Sequence, residues 1–336
     1  MILTPKVRKT LDIATRLSIA TLSVSYIFSR IYSLPAGQVN TFIQSITKGN
    51  RVVFIVIGIL GLMVINWAIE SLKWKLLIRQ SERVSFGKAY QAVLGGLAVS
   101  VFTPNRVGEF LGRVFILKNT DPLKGITLTI VGSFSQLIVT IVFGTAAYLV
   151  FAPRYLSDFI TDSLWLVNGF SLTLVTLSLV LVVAYFNISV LHRISILIPA
   201  RYAEKIKTSI DAIALCPKQL LLKVIVLSMT RYLVFSTQFY LAIRLTGLNF
   251  TALQCMTVIP VIYLTLASIP TVALTELGVR GSVSVFLFGL LAGNSGLNAA
   301  ASLAVVSAST LIWLVNIALP SLAGVLVVFR LKFFRR

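Results

Sequence analysis

The sequence predicts an all-α polytopic membrane protein. About six full transmembrane helices and two re-entrant helical hairpins are expected, arranged as an inverted repeat within a single integral membrane domain (1–336). Three observations carry this reading. The chain is 57% hydrophobic and 12% charged, with mean hydropathy +0.94, whereas an ordinary soluble domain carries about 25% charged residues. Several windows exceed the ~20 apolar residues that span a hydrocarbon core. Two further apolar regions, 89–118 and 251–292, are each interrupted by a proline and charges.

The first span, 11–33, follows MILTPKVRK; it contains Asp12 and Arg16 and lacks a cleavage site, so it is expected to stay in the membrane rather than to be removed. The other full spans are 52–77, 125–151, 163–187, 219–246 and 299–329. In the first interrupted region, the arm 89–102 would reach only about 21 Å as a helix, against a core of roughly 30 Å. The arm 108–118 is shorter still. Two short arms around a break describe a hairpin that enters and leaves on one side. Between the fourth and fifth spans, PARYAEKIKTSIDAIAL (199–215) places Tyr202, Ile206, Ile210 and Ile213 on one helical face, the pattern of an amphipathic helix lying in the interface.

Thirty Lys and Arg against ten Asp and Glu give a net charge of +20. In a membrane protein that excess sets orientation by the positive-inside rule, so no nucleic acid is expected as a partner. With both termini cytoplasmic, 21 of the 30 basic residues fall inside, around 6–16, 73–88, 118–124, 193–223 and 330–336. Only Arg30, Lys48, Arg51, Arg154 and Arg244 remain outside. The expected location is the cytoplasmic (inner) membrane of a bacterium.

TPNRVGEFLGR (103–113) and IPTVALTELGVRGS (269–282) share a plan: a proline (Pro104, Pro270), a short break, then Glu-x-x-x-Arg as Glu109/Arg113 and Glu276/Arg280. Each half then reads span, span, hairpin, span, giving repeat one over about 11–152 and repeat two over about 163–329. Three full spans per half invert the second copy, the plan of many transporters. A charge at a lipid-facing helix centre costs roughly 2.5–3.5 kcal/mol, so these segments are expected to line a polar cavity buried in protein.

The substrate-binding candidates are therefore Arg106, Glu109, Arg113, Glu276 and Arg280. The i,i+4 spacing puts acid and base of each pair on one face; that each pair only neutralises itself and braces its hairpin stays open. Arg106 has no local acid and precedes a helix N-terminus, an arrangement suited to a phosphate. Asn66, Glu70, Gln136 and Arg231 are supporting cavity candidates. Glu70 is expected to meet a buried arginine, and Arg231 to find Glu70 or Glu109. Lys73 and Trp74 read as interfacial anchors, and Gln136, Gln238 and Asn316 as helix-to-helix hydrogen bonders. Cys216, Cys255 and His192 have neither metal nor catalytic spacing, and no phosphate-binding glycine loop is present. No cofactor, metal or catalytic residue is expected.

At NWAIESLKWKLLI (66–78), TPNRVGEFLGRVFIL (103–117) and IPTVALTELGVRGSVSVFLFGLL (269–291) the chain resembles the lysylphosphatidylglycerol synthase transmembrane family, also called flippase-like integral membrane proteins. The resemblance runs through nearly the whole chain. It implies a helical membrane domain with re-entrant elements. In members that make aminoacylated phosphatidylglycerol this region is associated with moving lipid between leaflets, and a separate soluble domain makes the lipid. The chain stops at RLKFFRR, so that synthase activity is not expected. In the span after the first hairpin, where the family often carries an arginine and an acid, this chain reads GSFSQLIV with Ser133, Ser135 and Gln136, which suggests a different headgroup or a divergent role.

The function expected is a flippase-like transporter of a phospholipid or other anionic lipid, with anionic or phosphate-bearing membrane lipids as partners. The alternatives are a non-transporting scaffold, in a homo-oligomer or with a partner protein, and a membrane enzyme acting on a lipid-linked substrate.

Overall fold

The computed structural model describes residues 50–101, 103, 107–156, 164–188, 213, 216–269, 273–293 and 296–329, with the isolated positions 7, 10 and 14. All but position 14 of the expected first span (11–33) and all but position 213 of the amphipathic segment (199–215) lie outside the described residues, as do Pro104, Arg106 and Pro270. Every element among the described residues is helical: α1 (Asn50–Ile78), α2 (Phe86–Ser100), α3 (Gly108–Val114), α4 (Pro122–Tyr155), α5 (Leu164–Phe186), α6 (Lys218–Leu245), α7 (Ala252–Ser268), α8 (Ala273–Leu291), α9 (Ala299–Trp313) and α10 (Leu319–Val328). Five helical stretches are long and apolar enough to cross a membrane: Val52–Ile78, Pro122–Tyr155, Trp165–Phe186, Lys218–Leu245 and Ala299–Val328. These match five of the expected full spans.

Local chemistry sets several boundaries. Asp121 accepts from the backbone N–H groups of Leu123 and Lys124 at 2.8 and 3.2 Å, and Pro122 fills the first position of α4, where a missing N–H costs nothing. Thr251 and Gln254 close a capping box at the start of α7, and the Asn298 side chain caps α9 through Ala301 N–H at 2.8 Å. The last span is continuous but changes pitch: Leu314–Ala318 form a π turn between α9 and α10. Its cause is Pro320, which has no N–H to give the carbonyl four residues back. The widened turn lets Leu319 N–H reach Leu314 instead, and it exposes Asn316 to the neighbouring helices.

In lipid, apolar burial does not hold helices together, so close packing and polar contacts must. The glycines show how close. A Cβ on Gly112 of α3 would sit 2.5 Å from Gly96 Cα of α2, so these two arms touch backbone to backbone. They run antiparallel, since Gly108 meets Val99 as Gly112 meets Gly96. Thr103 clamps the break between them: its hydroxyl accepts from Gly108 N–H at 2.7 Å and donates to Ser100 C=O at 3.1 Å. Glu82, ahead of α2, accepts from the N–H groups of Lys118 and Asn119 beyond α3 at 3.0 and 2.9 Å. The pair of arms therefore begins and ends at one place.

The two halves pack on each other reciprocally. α2 lies against α10, where Gly324 abuts the Leu94 carbonyl and Ala98. α7 lies against α4, where Gly144 abuts Leu264 and the Pro260 carbonyl. α1 and α6 cross antiparallel at the centre, for Gln238 donates to Ile59 C=O at 3.0 Å while Ser228 faces Lys73. The breaks of both interrupted regions converge: Val101 at the end of α2 and Leu277 early in α8 pack with Trp313, Leu314, Ile317 and Ala318 around the π turn. The two regions differ in reach. α2 has 15 residues and α3 seven, but α7 has 17 and α8 has 19, so the arms of the second approach the thickness of the core while those of the first fall short.

Gly112→Ala and Gly324→Ala are each expected to lower stability by roughly 1–3 kcal/mol or more through overpacking, read as loss of monodisperse protein and a lower melting temperature in detergent. Gly61→Ala, at a helix position with open space around it, is expected to behave as the native chain.

Candidate functional site

One carboxylate organises the polar interior. Glu70, on the face of α1 that also carries Asn66 and Lys73, has 3% of its side chain exposed and meets three cations. Oε1 accepts from Arg113 of α3 at 2.9 Å. Oε2 lies 2.7 Å from Lys73 Nζ and 3.2 Å from Arg231 of α6. Arg113 uses its second terminal nitrogen on Glu109, one turn back on α3. A buried charge is tolerated only when paired and hydrogen-bonded, and here each of the charges finds an opposite. The five carry three positive and two negative charges, a net of +1.

Around the ions runs a shell of neutral polar groups. Arg231 Nε donates to Asn66 Oδ1 at 2.9 Å, and Asn66 donates to Asn316 Oδ1 in the π turn at 2.9 Å. Gln136 of α4 donates to Ser228 C=O at 3.3 Å and offers its own oxygen to Arg231 at 3.5 Å. Ser135 and Ser228 share a hydrogen bond of 2.8 Å, and Lys73 reaches Ser228 Oγ at 3.5 Å. The Arg231 guanidinium lies 5.1 Å from the centre of the Trp67 ring, within cation–π range. Most of this assembly is sealed. Its accessible edges are Glu109 and Arg231, each with 17% of the side chain exposed.

Six of the expected residues thus meet in one network: Asn66, Glu70, Glu109, Arg113, Gln136 and Arg231. Arg231 pairs with Glu70, one of the two acids expected for it. Glu276 and Arg280 form their own pair on α8 at 3.1 Å. Tyr263 lies within electrostatic reach of Arg280 and donates to Phe235 C=O at 3.3 Å, and the Tyr263 ring stacks edge-on to Phe235 and Tyr232. An aromatic wall therefore connects the α8 pair to the helix that carries Arg231. Arg106 lies outside the described residues.

Two expectations need correction. Lys73 and Trp74 are not interfacial anchors: each is 1% exposed. Trp74 turns inward to donate to Thr129 Oγ1 at 3.0 Å, and Lys73 is held by Glu70, three residues back on the same face. A helical face already carrying Asn66 and Glu70 points into protein, and the next polar residue in register points with it. That i,i+3 spacing was the signal in the sequence. Ser228 had none, because a serine in a span usually hydrogen-bonds its own helix, and Ser135 stood out only as a departure from the family pattern; their role depends on which helices touch.

Among the described residues no group of three His, Cys, Asp or Glu side chains is placed to hold a metal ion. Cys216 and Cys255 are buried, and burial pushes the Cys216 thiol, just ahead of α6, up to about 11. The thiolate is the reactive form, so Cys216 is expected to resist maleimide at neutral pH in the folded protein and to label on denaturation.

Removing one partner from a buried ion group costs about 3–5 kcal/mol. Glu70→Gln, which takes the shared acid from three cations, is expected to fall in that range by thermal unfolding. Adding Lys73→Met is expected to restore part of the loss, because the two residues are coupled.

No curated protein and no solved structure matches the chain. Comparison with known families matches residues 13–330 to the family described as the lysylphosphatidylglycerol synthase TM region. The helices long enough to span a membrane, and the interrupted helices between them, lie within that match, and the chain belongs to this family as a multi-pass membrane protein.

Proposed function

We propose that this protein is a flippase-like transporter that moves a phospholipid or other anionic lipid between leaflets, using a polar cavity between two re-entrant hairpins. The observation that carries the reading is the Glu70 network: five buried or half-buried ionisable groups with a net charge of +1, drawn from both halves of the chain. Intramembrane charges of this kind mark substrate and ion pathways. Arg231, at the accessible edge with Trp67 beneath it and Asn66 and Gln136 beside it, is the group that engages a headgroup phosphate. Acyl chains stay in the surrounding lipid.

The family's description names a synthase of a phosphatidylglycerol derivative, which favours a glycerophospholipid as cargo. The reciprocal packing of α2 on α10 and α7 on α4, with α1 and α6 antiparallel at the centre, supports an inverted repeat with an axis between α1 and α6. The grip of Glu82 on the segment beyond α3 supports a first hairpin that returns to its side of entry, which the charge distribution makes the cytoplasmic side of a bacterial inner membrane.

One observation favours the scaffold alternative. Glu70 is saturated with partners, as a structural brace would be. The two readings part at Arg231. In proteoliposomes carrying a fluorescent phosphatidylglycerol, the native chain is expected to exchange the probe between leaflets. Arg231→Gln, which leaves Glu70 paired with Lys73 and Arg113, is expected to slow that exchange at least tenfold while remaining folded and monodisperse. A folded Arg231→Gln protein that exchanges lipid at the native rate sinks the assignment. Absence of exchange by the native chain favours the scaffold.

A further inference from the structure

The two acids of the network are not equivalent. Glu70 is 3% exposed and shared by Lys73, Arg113 and Arg231. Glu109 is 17% exposed, and its partner Arg113 is already committed to Glu70 through its other terminal nitrogen. If Glu109 took up a proton, one ion pair would be lost, and its cation, Arg113, would keep Glu70. Loss of the Glu70 charge would take an acid from three cations at once. Glu109 is therefore the carboxylate whose charge can change with the smaller disturbance to the site.

The surroundings of Glu109 sharpen this. α3 supplies Arg113, α1 supplies Glu70 and Lys73, and α6 supplies Arg231. α2, packed against α3, has no charged side chain after Lys88, and its glycine face meets the Glu109 backbone carbonyl. α4 faces the network with Ser135 and Gln136, both uncharged. On α8, Glu276 and Arg280 pair with each other. Against these groups, protonation of Glu109 raises the five-residue network from +1 to +2, and a singly charged anion returns it to +1.

We propose that Glu109 is the proton-binding site of this protein and that the proton is the coupled ion, entering together with one negative charge on the headgroup. The inference rests on the transport reading above and deepens it by naming the coupling ion and the charge of the cargo. Two ligands that each relieve the other's electrostatic cost bind with positive coupling, and the coupling is reciprocal. The headgroup binds more tightly when Glu109 is protonated, and Glu109 binds its proton more tightly when the headgroup is present. One proton and one monoanion cross together without net charge movement, so the membrane potential does not drive the step and a pH gradient does.

The test uses the full chain and a short-chain fluorescent phosphatidylglycerol, a monoanionic phosphodiester. Detergent-solubilised protein is titrated with the probe in weakly buffered solution, and proton uptake is followed. The native chain is expected to take up about one proton per probe bound, and Glu109→Gln none. In proteoliposomes with the membrane potential clamped at zero, a gradient of one pH unit is expected to enrich the probe about tenfold in the leaflet on the alkaline side. Glu109→Gln is expected to leave the distribution even.

Lipid exchange by the native chain with no proton uptake and no response to the gradient overturns the coupling and leaves the transport reading standing. A pH response that survives in folded Glu109→Gln overturns the assignment to Glu109. Proton uptake on binding without any exchange keeps Glu109 as the proton site and removes transport.

Discussion

The Glu70 carboxylate is shared by Lys73, Arg113 and Arg231, and the architecture follows from keeping that arrangement intact. The three cations come from three different helices, α1, α3 and α6. None is tolerable in an apolar interior without the acid, and the acid is not tolerable without them. The short helix α3 must therefore reach the centre of the bundle, as a helix separate from α2. The Gly96–Gly112 contact brings α3 close enough for Arg113 to reach Glu70; Thr103 and Glu82 fix the two ends of the same hairpin. The π turn caused by Pro320 brings Asn316 to Asn66, which in turn orients Arg231. Glycine, proline and threonine positions that look unrelated along the chain serve one cluster.

That dependence also separates structure from function within the site. A saturated Glu70 is a rigid hub, and rigid hubs position their neighbours. The groups left partly accessible, Glu109 and Arg231, carry opposite charge and reach that hub differently, Arg231 directly and Glu109 through Arg113. A site that must admit and release an anionic headgroup needs both features: a framework that does not move when its charge balance changes, and an edge whose charge can change. Membership of a family described by a lipid-modifying synthase fits a lipid headgroup as the visitor, and the aromatic wall of Tyr232, Phe235 and Tyr263 links this edge to the Glu276–Arg280 pair on α8.

Much of the fold was legible because its signals are short-range. Hydropathy located the five described spans to within a few residues at either end, and the charged breaks at 103–113 and 269–282 marked the two interrupted regions. The two regions nevertheless differ in the length of their arms. Similar motifs flank both breaks, but arm length depends on where each helix is capped and on what it packs against: α3 ends after seven residues at the loop that Glu82 grips, while α8 continues along α9 for 19. In the site, Glu109/Arg113 and Glu276/Arg280 were readable as i,i+4 pairs, and Asn66 with Glu70 as one helical face.

The sequence by itself determined that the chain lives in a membrane, where it is interrupted, and which residues carry charge at depth, because composition and spacing along one helix decide those things. Only the tertiary structure decided which charges meet. Glu70 and Arg113 are 43 residues apart and Asn66 and Asn316 are 250, and no periodicity links them. Trp74 and Lys73 turned inward rather than to the headgroups for the same reason: a helix face is interfacial or buried according to its neighbours, and α6 and α4 occupy the place where water would otherwise have been.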